Sequence, residues 1–169
     1  MATRKTGGAK TSRTETVTVR LDPEQRYLAE IAARVQRRTL SSFIDWAILD
    51  SLGRVKIDEG GGDNETTVAD MARKLWDVDD ADRFVKLAIH APHLLNYDEQ
   101  RLWKLIKENG AVWMGWYEEG TFGEWRWHIN ESTIDYARLR EYWDTFVTVA
   151  AGEKPAESLP TWQKTEIPF

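Results

Sequence analysis

The sequence contains no cysteine and no long run of apolar residues. Without cysteine the chain can form no disulfide and can hold no catalytic thiol, a composition that fits a reducing cytoplasm. No apolar run approaches the ~18 residues that a membrane-spanning helix needs. The basic segment at the amino terminus is followed by no apolar stretch, so it lacks the pattern of a secretory signal. We therefore expect a cytoplasmic protein without a membrane partner.

The recognised motifs of catalysis are also missing. No glycine-rich phosphate loop, nucleophile elbow or acid–base pair with a defined spacing occurs in the sequence. His90, His93 and His128 could bind zinc if a hairpin met a loop, but Pro92 interrupts the spacing of the first two. We interpret them as surface or packing histidines. The sequence thus predicts no enzyme, no cofactor and no metal site.

Charge is distributed unevenly along the chain, although the net charge is only −5. Residues 1–56 hold eleven Lys and Arg against six Asp and Glu, a net charge of +5. Residues 57–169 hold twelve against twenty-two, a net charge of −10. A basic head on an acidic body indicates that only the head meets a polyanion.

Residues 16–21, with the sequence TVTVRL, alternate strictly between apolar and polar and are rich in β-branched side chains. This pattern predicts a strand whose apolar face carries Val17, Val19 and Leu21. The opposite face carries the polar side chains Thr16, Thr18 and Arg20.

Two amphipathic helices are predicted directly after this strand. Asp22 caps the first, Pro23 suits its first position, and Gln25 completes a capping-box-like spacing. Thr39 is the predicted cap of the second helix, and Gly53 indicates its end. The apolar stripes consist of Leu28, Ile31, Ala32 and Val35, and of Leu40, Phe43, Ile44, Ala47, Ile48 and Leu52. A single copy of this unit cannot bury both stripes, so we expect an intertwined dimer.

The segments TVTVRLDPEQ and RRTLSSFIDWAI resemble the ribbon-helix-helix family of DNA-binding proteins, the Arc, MetJ and CopG-like repressors. The resemblance covers residues 14–53 and implies a ribbon-helix-helix domain at residues 15–53. The family often has glycine where Arg37 or Arg38 stands in this chain, and often glutamate where Phe43 or Ser42 stands. The resemblance implies a homodimer whose two strands pair antiparallel and enter the DNA major groove.

The same resemblance implies which residues meet DNA. The outward strand residues Thr16, Thr18 and Arg20 would contact bases, since arginine can bond guanine O6 and N7 and threonine suits thymine. The start of the second helix would place amides and hydroxyls against phosphate at Thr39, Leu40 and Ser41. The basic arm, residues 1–14, would neutralise phosphates with Arg4, Lys5, Lys10 and Arg13.

Trp46 is the residue of this unit that the apolar stripes do not explain. It lies off the stripe of the second helix, with Leu49 on its side. A large aromatic side chain there should be covered by another surface. We therefore expect Trp46 and Leu49 to contact the second domain or another dimer.

A second domain is predicted after a flexible, glycine-rich acidic linker at residues 54–66. Residues 67–152 predict a small α+β domain, mostly helical with one aromatic-rich β-hairpin formed by AVWMGWYEE and FGEWRWHIN. Its helix starts are marked by the pairs Thr67 with Asp70, Asp79 with Asp82, Asn96 with Glu99, and Ser132 with Asp135. Residues 153–169 have the pattern of an irregular tail, in which Trp162 and Phe169 could dock onto a surface.

Tryptophan is unusually frequent in this second domain. Because aliphatic residues are few, we predict that these tryptophans form its core, with a pocket or partner surface as the alternative for some of them. They are Trp76, Trp103, Trp113, Trp116, Trp125, Trp127 and Trp143.

The function that we favour is a sequence-specific double-stranded DNA-binding regulator, a transcriptional repressor associated with the nucleoid. It would act as a homodimer or a higher oligomer on DNA, and its second domain would oligomerise or respond to a protein partner or small ligand. One alternative is an antitoxin whose acidic body neutralises a basic toxin while the head autoregulates. Others are a plasmid or phage accessory factor for DNA processing or partition, and an enzyme tethered to DNA.

Overall fold

The computed structural model describes residues 16–57, 66–118 and 123–162. These residues form six α-helices and one small two-stranded antiparallel sheet. The helices are α1 (Pro23–Val35), α2 (Leu40–Leu52), α3 (Val68–Leu75), α4 (Asp80–His90), α5 (Tyr97–Glu108) and α6 (Tyr136–Ala150). The strands are β1 (Gly115–Tyr117) and β2 (Trp125–Trp127). Short 3-10 turns occupy Pro92–Leu94, Gly110–Val112 and Ala156–Ser158.

The chain forms two compact units, of which one ends at Lys74 and the other begins at Leu75. The first contains α1, α2 and all but the last residue of α3, whereas the sequence places the boundary earlier, within residues 54–66. Local pairing accounts for the difference. The Ile57 amide donates to the Thr66 carbonyl and the Val68 amide to the Val55 carbonyl, both at 2.9 Å. The ends of the predicted linker are thus paired, and residues 58–65 lie outside the described residues.

Helices α1 and α2 begin where the sequence predicts. The Asp22 carboxylate accepts a 2.9 Å hydrogen bond from the Gln25 amide, with Pro23 at the first position of α1. The Thr39 hydroxyl accepts a 3.1 Å bond from the Ser42 amide at the start of α2. Each cap satisfies an amide that has no partner within its own helix, which fixes the helix start.

The turn between α1 and α2 requires a left-handed backbone conformation. Arg37 adopts it with a φ of 56°, and the Arg38 amide closes the turn on the Ala33 carbonyl at 2.8 Å. Glycine adopts this backbone conformation without a steric cost, whereas a residue with a Cβ, such as Arg37, adopts it only at a steric cost.

In the second unit, α4, α5 and α6 pack around a common core, with α6 against both other helices. The prediction that tryptophans build this core is confirmed for Trp103 and Trp113, the latter only 1% exposed. The Trp113 Nε1–H donates to the Ile106 carbonyl at 2.8 Å, so its polar end is satisfied inside the core. For Trp76 and Trp116 the core prediction is wrong, because both side chains are exposed.

The predicted capping pairs are confirmed at two helix starts. Thr67 and Asp70 bond reciprocally before α3, and Asn96 and Glu99 form a capping box at α5. Asp79 caps α4 by accepting from the Ala81 amide, so Asp82 completes no capping box there.

Helix α6 begins one turn later than the sequence predicts. Its cap is Asp135, whose carboxylate accepts from the Arg138 amide at 3.0 Å, and Ser132 bonds Asn130 instead. Ile134 forms an antiparallel bridge with Trp113, which keeps the preceding residues extended and delays the helix.

The predicted hairpin is confirmed, with Gly115 opposite Trp127 and Tyr117 opposite Trp125. A Cβ at Gly115 would collide with the Arg126 carbonyl oxygen, so the close approach of the two strands requires glycine there. Trp125 and Trp127 lie on one face, as the alternation predicts.

The described part of the predicted tail folds back onto the second unit. Leu159 packs against the core, and the Asn109 side-chain amide donates to the Pro160 carbonyl at 2.9 Å. The Trp162 ring stacks on Trp125 with centroids 4.0 Å apart and an interplanar angle of 13°. Phe169 lies outside the described residues.

Candidate nucleic-acid interface

Every side chain of residues 16–21 is exposed in the single chain. The segment forms no strand with any residue that the structure describes. No backbone group of this segment is hydrogen-bonded to another residue that the structure describes, and a β-strand needs a hydrogen-bonded partner. The predicted roles of Thr16, Thr18 and Arg20 in base contact stay predictions, as does the pairing itself.

The apolar face of the same segment is left uncovered. Val17 is 80% exposed and Val19 is 67% exposed, values that are high for β-branched apolar residues. The stripes of the two helices are exposed as well, at Leu28, Ile31, Val35, Ile44 and Ile48. In α1 and α2 together, Ala33 is the one residue classed as buried. The first unit therefore presents apolar side chains on all three of its predicted elements.

The start of α2 has the features of a phosphate site. Thr39 and Ser41 are exposed and Leu40 is half-buried. The Thr39 hydroxyl already caps the Ser42 amide, so the amides of Leu40 and Ser41 point out of the first turn without an intrahelical acceptor. Such amides can donate to a phosphate oxygen, helped by the helix dipole. The four basic residues of the arm, Arg4, Lys5, Lys10 and Arg13, lie outside the described residues.

Trp46 is partly covered from within its own unit. Its ring lies 5.7 Å from that of Phe43, and the Arg38 guanidinium lies 5.8 Å from its centroid. A cation over an indole face is an attractive arrangement, and it accounts for part of the cover that Trp46 needs. Leu49 on the same helix is 61% exposed. The predicted contact of these two residues with another domain or dimer stays a prediction.

A buried ion pair in the second unit was missed by sequence reasoning, which assigned Asp82 to capping. Asp82 is 3% exposed. Its carboxylate accepts two hydrogen bonds from the Arg140 guanidinium, one from Nε at 2.9 Å and a shorter one from Nη2. The sequence did contain a signal for this ion pair, because Asp82 falls on the apolar stripe of α4 beside Ala81 and Val85. A carboxylate on such a stripe needs a cation from another element.

Tyr136 lies against this ion pair, with the Arg140 guanidinium 6.0 Å from its ring. Its hydroxyl is buried and has no hydrogen-bond partner among the described residues. Burial, followed by the negative charges of Glu131 and Asp82, raises the pKa of Tyr136 to about 12. The hydroxyl is thus held in its neutral form, and it is a poor proton donor near neutral pH.

Two further ionic contacts border the same helix. Lys86 Nζ lies 2.7 Å from the Asp77 carboxylate, and this bond, together with the Asp79 amide, lowers the pKa of Asp77. His90 Nε2 lies 2.8 Å from Glu131, while His128 packs on the Trp116 ring at 4.7 Å.

The described residues include no group of three or more His, Cys, Asp and Glu that could hold a metal ion. Within the same ranges, no helix is both long and apolar enough to cross a membrane.

Comparison with known proteins returns no relative for this chain. No family model, no curated protein and no solved structure matches it.

Proposed function

We propose that this chain is a sequence-specific double-stranded DNA-binding transcriptional repressor that acts as a homodimer. Residues 16–21 of two copies would pair antiparallel and enter the major groove. The observation that carries the proposal is the exposure of the apolar face of that segment, above all at Val17 and Val19.

A second copy of the chain is the occupant that this face fits. Fully burying a Val or Ile side chain is worth about 1.5–3 kcal/mol, and each copy offers such side chains on the segment and on both helices. An isolated strand cannot hydrogen-bond its own backbone amides and carbonyls. Pairing with an identical strand satisfies those groups in both strands at once. Pairing in this way would leave Thr16, Thr18 and Arg20 on the outer face of the ribbon.

Charge supports the choice of DNA as the target. The head, residues 1–56, carries +5, and the remaining residues carry −10. A phosphate backbone would attract the head and repel the body. The side chains on the outer face of the ribbon can hydrogen-bond base edges, and the start of α2 can hydrogen-bond phosphate.

The second unit would serve the regulator as an oligomerisation or effector module. It has its own core of packed helices and a net negative charge, so it needs no DNA contact to be stable. Its described residues show no cluster with the spacing of a metal centre.

Substitution of the outward arginine tests the proposal. A preferred DNA site is first found by footprinting the full chain, and dissociation constants of variants are then measured on that site. Arg20→Ala should cost ~1–3 kcal/mol and relax the preference at one base pair of each half-site, because a bidentate contact is lost. Arg26→Ala, which removes an exposed cation paired with Glu30 on α1, is the matched control and should leave the preference unchanged.

Unchanged affinity of Arg20→Ala at the preferred site would contradict the ribbon assignment. The position of the footprint also separates a promoter-bound repressor from a factor that acts at an origin.

A further inference from the structure

The second unit contains a polar cavity of about 450 Å³ that no predicted role explains. It lies beside the first turns of α6, where the chain after that helix folds back. Its volume falls within the ~300–1,000 Å³ range of small-molecule sites. The lining residues are Ala111, Arg138, Tyr142, Ser158, Leu159, Pro160 and Thr161.

The wall of this cavity is held in place by contacts at both ends. The 3-10 turn Ala156–Ser158 precedes it, and Leu159 packs against the hydrophobic core. The Asn109 side chain then holds the Pro160 carbonyl at 2.9 Å, and Trp162 stacks on Trp125. The cavity is therefore formed before any ligand arrives, which lowers the ordering cost of binding.

Arg138 is the one charged side chain among the described residues that line the cavity. Its Nη1 donates to the Ala111 carbonyl at 2.9 Å, and its guanidinium lies 5.8 Å from the centroid of the Trp162 ring. These two contacts fix the guanidinium plane but use only part of its five N–H donors. No carboxylate pairs with Arg138 within the parts of the chain that the structure describes.

Three hydroxyl groups complete the lining, those of Tyr142, Ser158 and Thr161. None of them is hydrogen-bonded to another described residue. A positioned guanidinium with several unengaged donors and hydroxyls beside it suits an acceptor-rich anion, which a guanidinium binds in a forked, two-bond geometry. The cavity lies in the acidic part of the chain. An arginine there without a carboxylate partner is therefore a distinctive feature, and it is suited to binding an anion.

We propose that this cavity binds a small organic anion that carries a carboxylate or phosphate group, with Arg138 as its main contact. Tyr142, Ser158 and Thr161 hydrogen-bond the remaining oxygens. The inference does not rest on DNA binding. If the regulator proposal also holds, the anion is the effector of the second unit.

Titration of the ¹⁵N-labelled full chain, observed at the arginine Nε–H signals, tests the site directly. The probes are inorganic phosphate and succinate at constant ionic strength, and succinamide is the neutral control of the same shape. The Arg138 signal, identified by its loss in Arg138→Gln, should shift and saturate with at least one anion and not with succinamide. Which anion saturates it distinguishes a phosphate site from a carboxylate site.

Variants separate this site from a general ionic effect. Binding to the variants is followed by the backbone amide signals of the lining residues, because Arg138→Gln lacks the Nε–H signal. Arg138→Gln should weaken binding at least tenfold, about 1.4 kcal/mol, while Arg101→Gln, an exposed arginine on α5, should leave binding unchanged. Thr161→Val keeps the charge and should weaken binding several-fold, which provides the test if Arg138→Gln does not fold. Saturation with neither anion, or equal non-saturating shifts at Arg101 and Arg138, overturns the proposal. Wild-type affinity in a folded Arg138→Gln, or in Thr161→Val, also overturns it. None of these outcomes bears on the DNA proposal.

Discussion

The ion pair between Asp82 and Arg140 shows how a single residue can change its role with its surroundings. Near a helix start a carboxylate ordinarily interacts with free amides and the helix dipole. Asp82 instead faces the core and takes two bonds from an arginine 58 positions later in the chain. Burying a charge is costly unless it is paired, so the pair ties α4 to α6.

Asp82→Asn should lower the free energy of unfolding by about 1–3 kcal/mol, because a charge-assisted bond inside the unit is lost. The cost stays below that of a fully buried pair since the Arg140 side chain is 44% exposed and can be hydrated. Urea unfolding followed by tryptophan fluorescence measures it.

The matched control for this change is Asp98→Asn on α5. Asp98 is 88% exposed and lies 3.9 Å from Arg101, so its loss should cost less than ~0.5 kcal/mol. Equal effects of the two substitutions would show that Asp82 does not act through its buried pair.

The hairpin is the element that depends most on one small residue. Its strands have three residues each. Trp127 of β2 donates to the Lys107 carbonyl near the end of α5 at 3.1 Å, and Trp125 donates to the Gly110 carbonyl in the following 3-10 turn at 3.3 Å. Gly115 permits this because its missing side chain lets the Arg126 carbonyl approach. The aromatic face of the hairpin is thereby held against the helix.

Two glycine substitutions should have opposite effects. Gly115→Ala should destabilise the second unit by ~1–3 kcal/mol, since the strands must move apart to admit the methyl group. Gly53→Ala should stabilise the first unit by ~0.4–1 kcal/mol, because a less flexible unfolded chain loses less entropy. Gly53 has an ordinary φ of −73°, and its added Cβ would lie 3.5 Å from the nearest neighbour, the Asp50 carbonyl oxygen.

Thermal melting followed by circular dichroism measures both variants. A destabilised Gly53→Ala would mean that the end of α2 is more constrained than its geometry indicates. An unchanged Gly115→Ala would mean that the hairpin is not required for the second unit to fold.

At the scale of the whole molecule, the first unit leaves the apolar side chains of residues 16–21 exposed in a single copy. Val17 and Val19 are exposed, and the alternation of the sequence predicts that they share one face of residues 16–21 while Thr16 and Thr18 share the other. If a second copy covers the apolar face and DNA covers the polar one, neighbouring residues have separate roles: the valines hold the dimer together and the threonines contact DNA.

Substitutions at adjacent positions should therefore have different outcomes. Val19→Asp should convert a dimer to a monomer in sedimentation experiments, because it places a charge in the apolar interface. Thr18→Asp should remain dimeric and lose DNA affinity, because it places a carboxylate against bases and phosphates. A monomeric wild-type chain at micromolar concentration, or dissociation by Thr18→Asp, would contradict this arrangement.

The sequence alone was enough to predict features that depend only on residues a few positions apart. The caps at Asp22, Thr39 and Asn96 lie where predicted, because a cap depends only on a side chain and an amide two or three residues later. The hairpin alternation at Trp125 and Trp127 was predicted for the same local reason.

Tertiary structure decided whatever depends on residues distant in sequence. It placed Asp82 beside Arg140, delayed α6 through the bridge from Ile134 to Trp113, and left Trp116 on the surface. It also assembled the cavity around Arg138 from segments before, within and after α6. Helix periodicity shows which face of an element is buried, but only packing determines which partner that face meets.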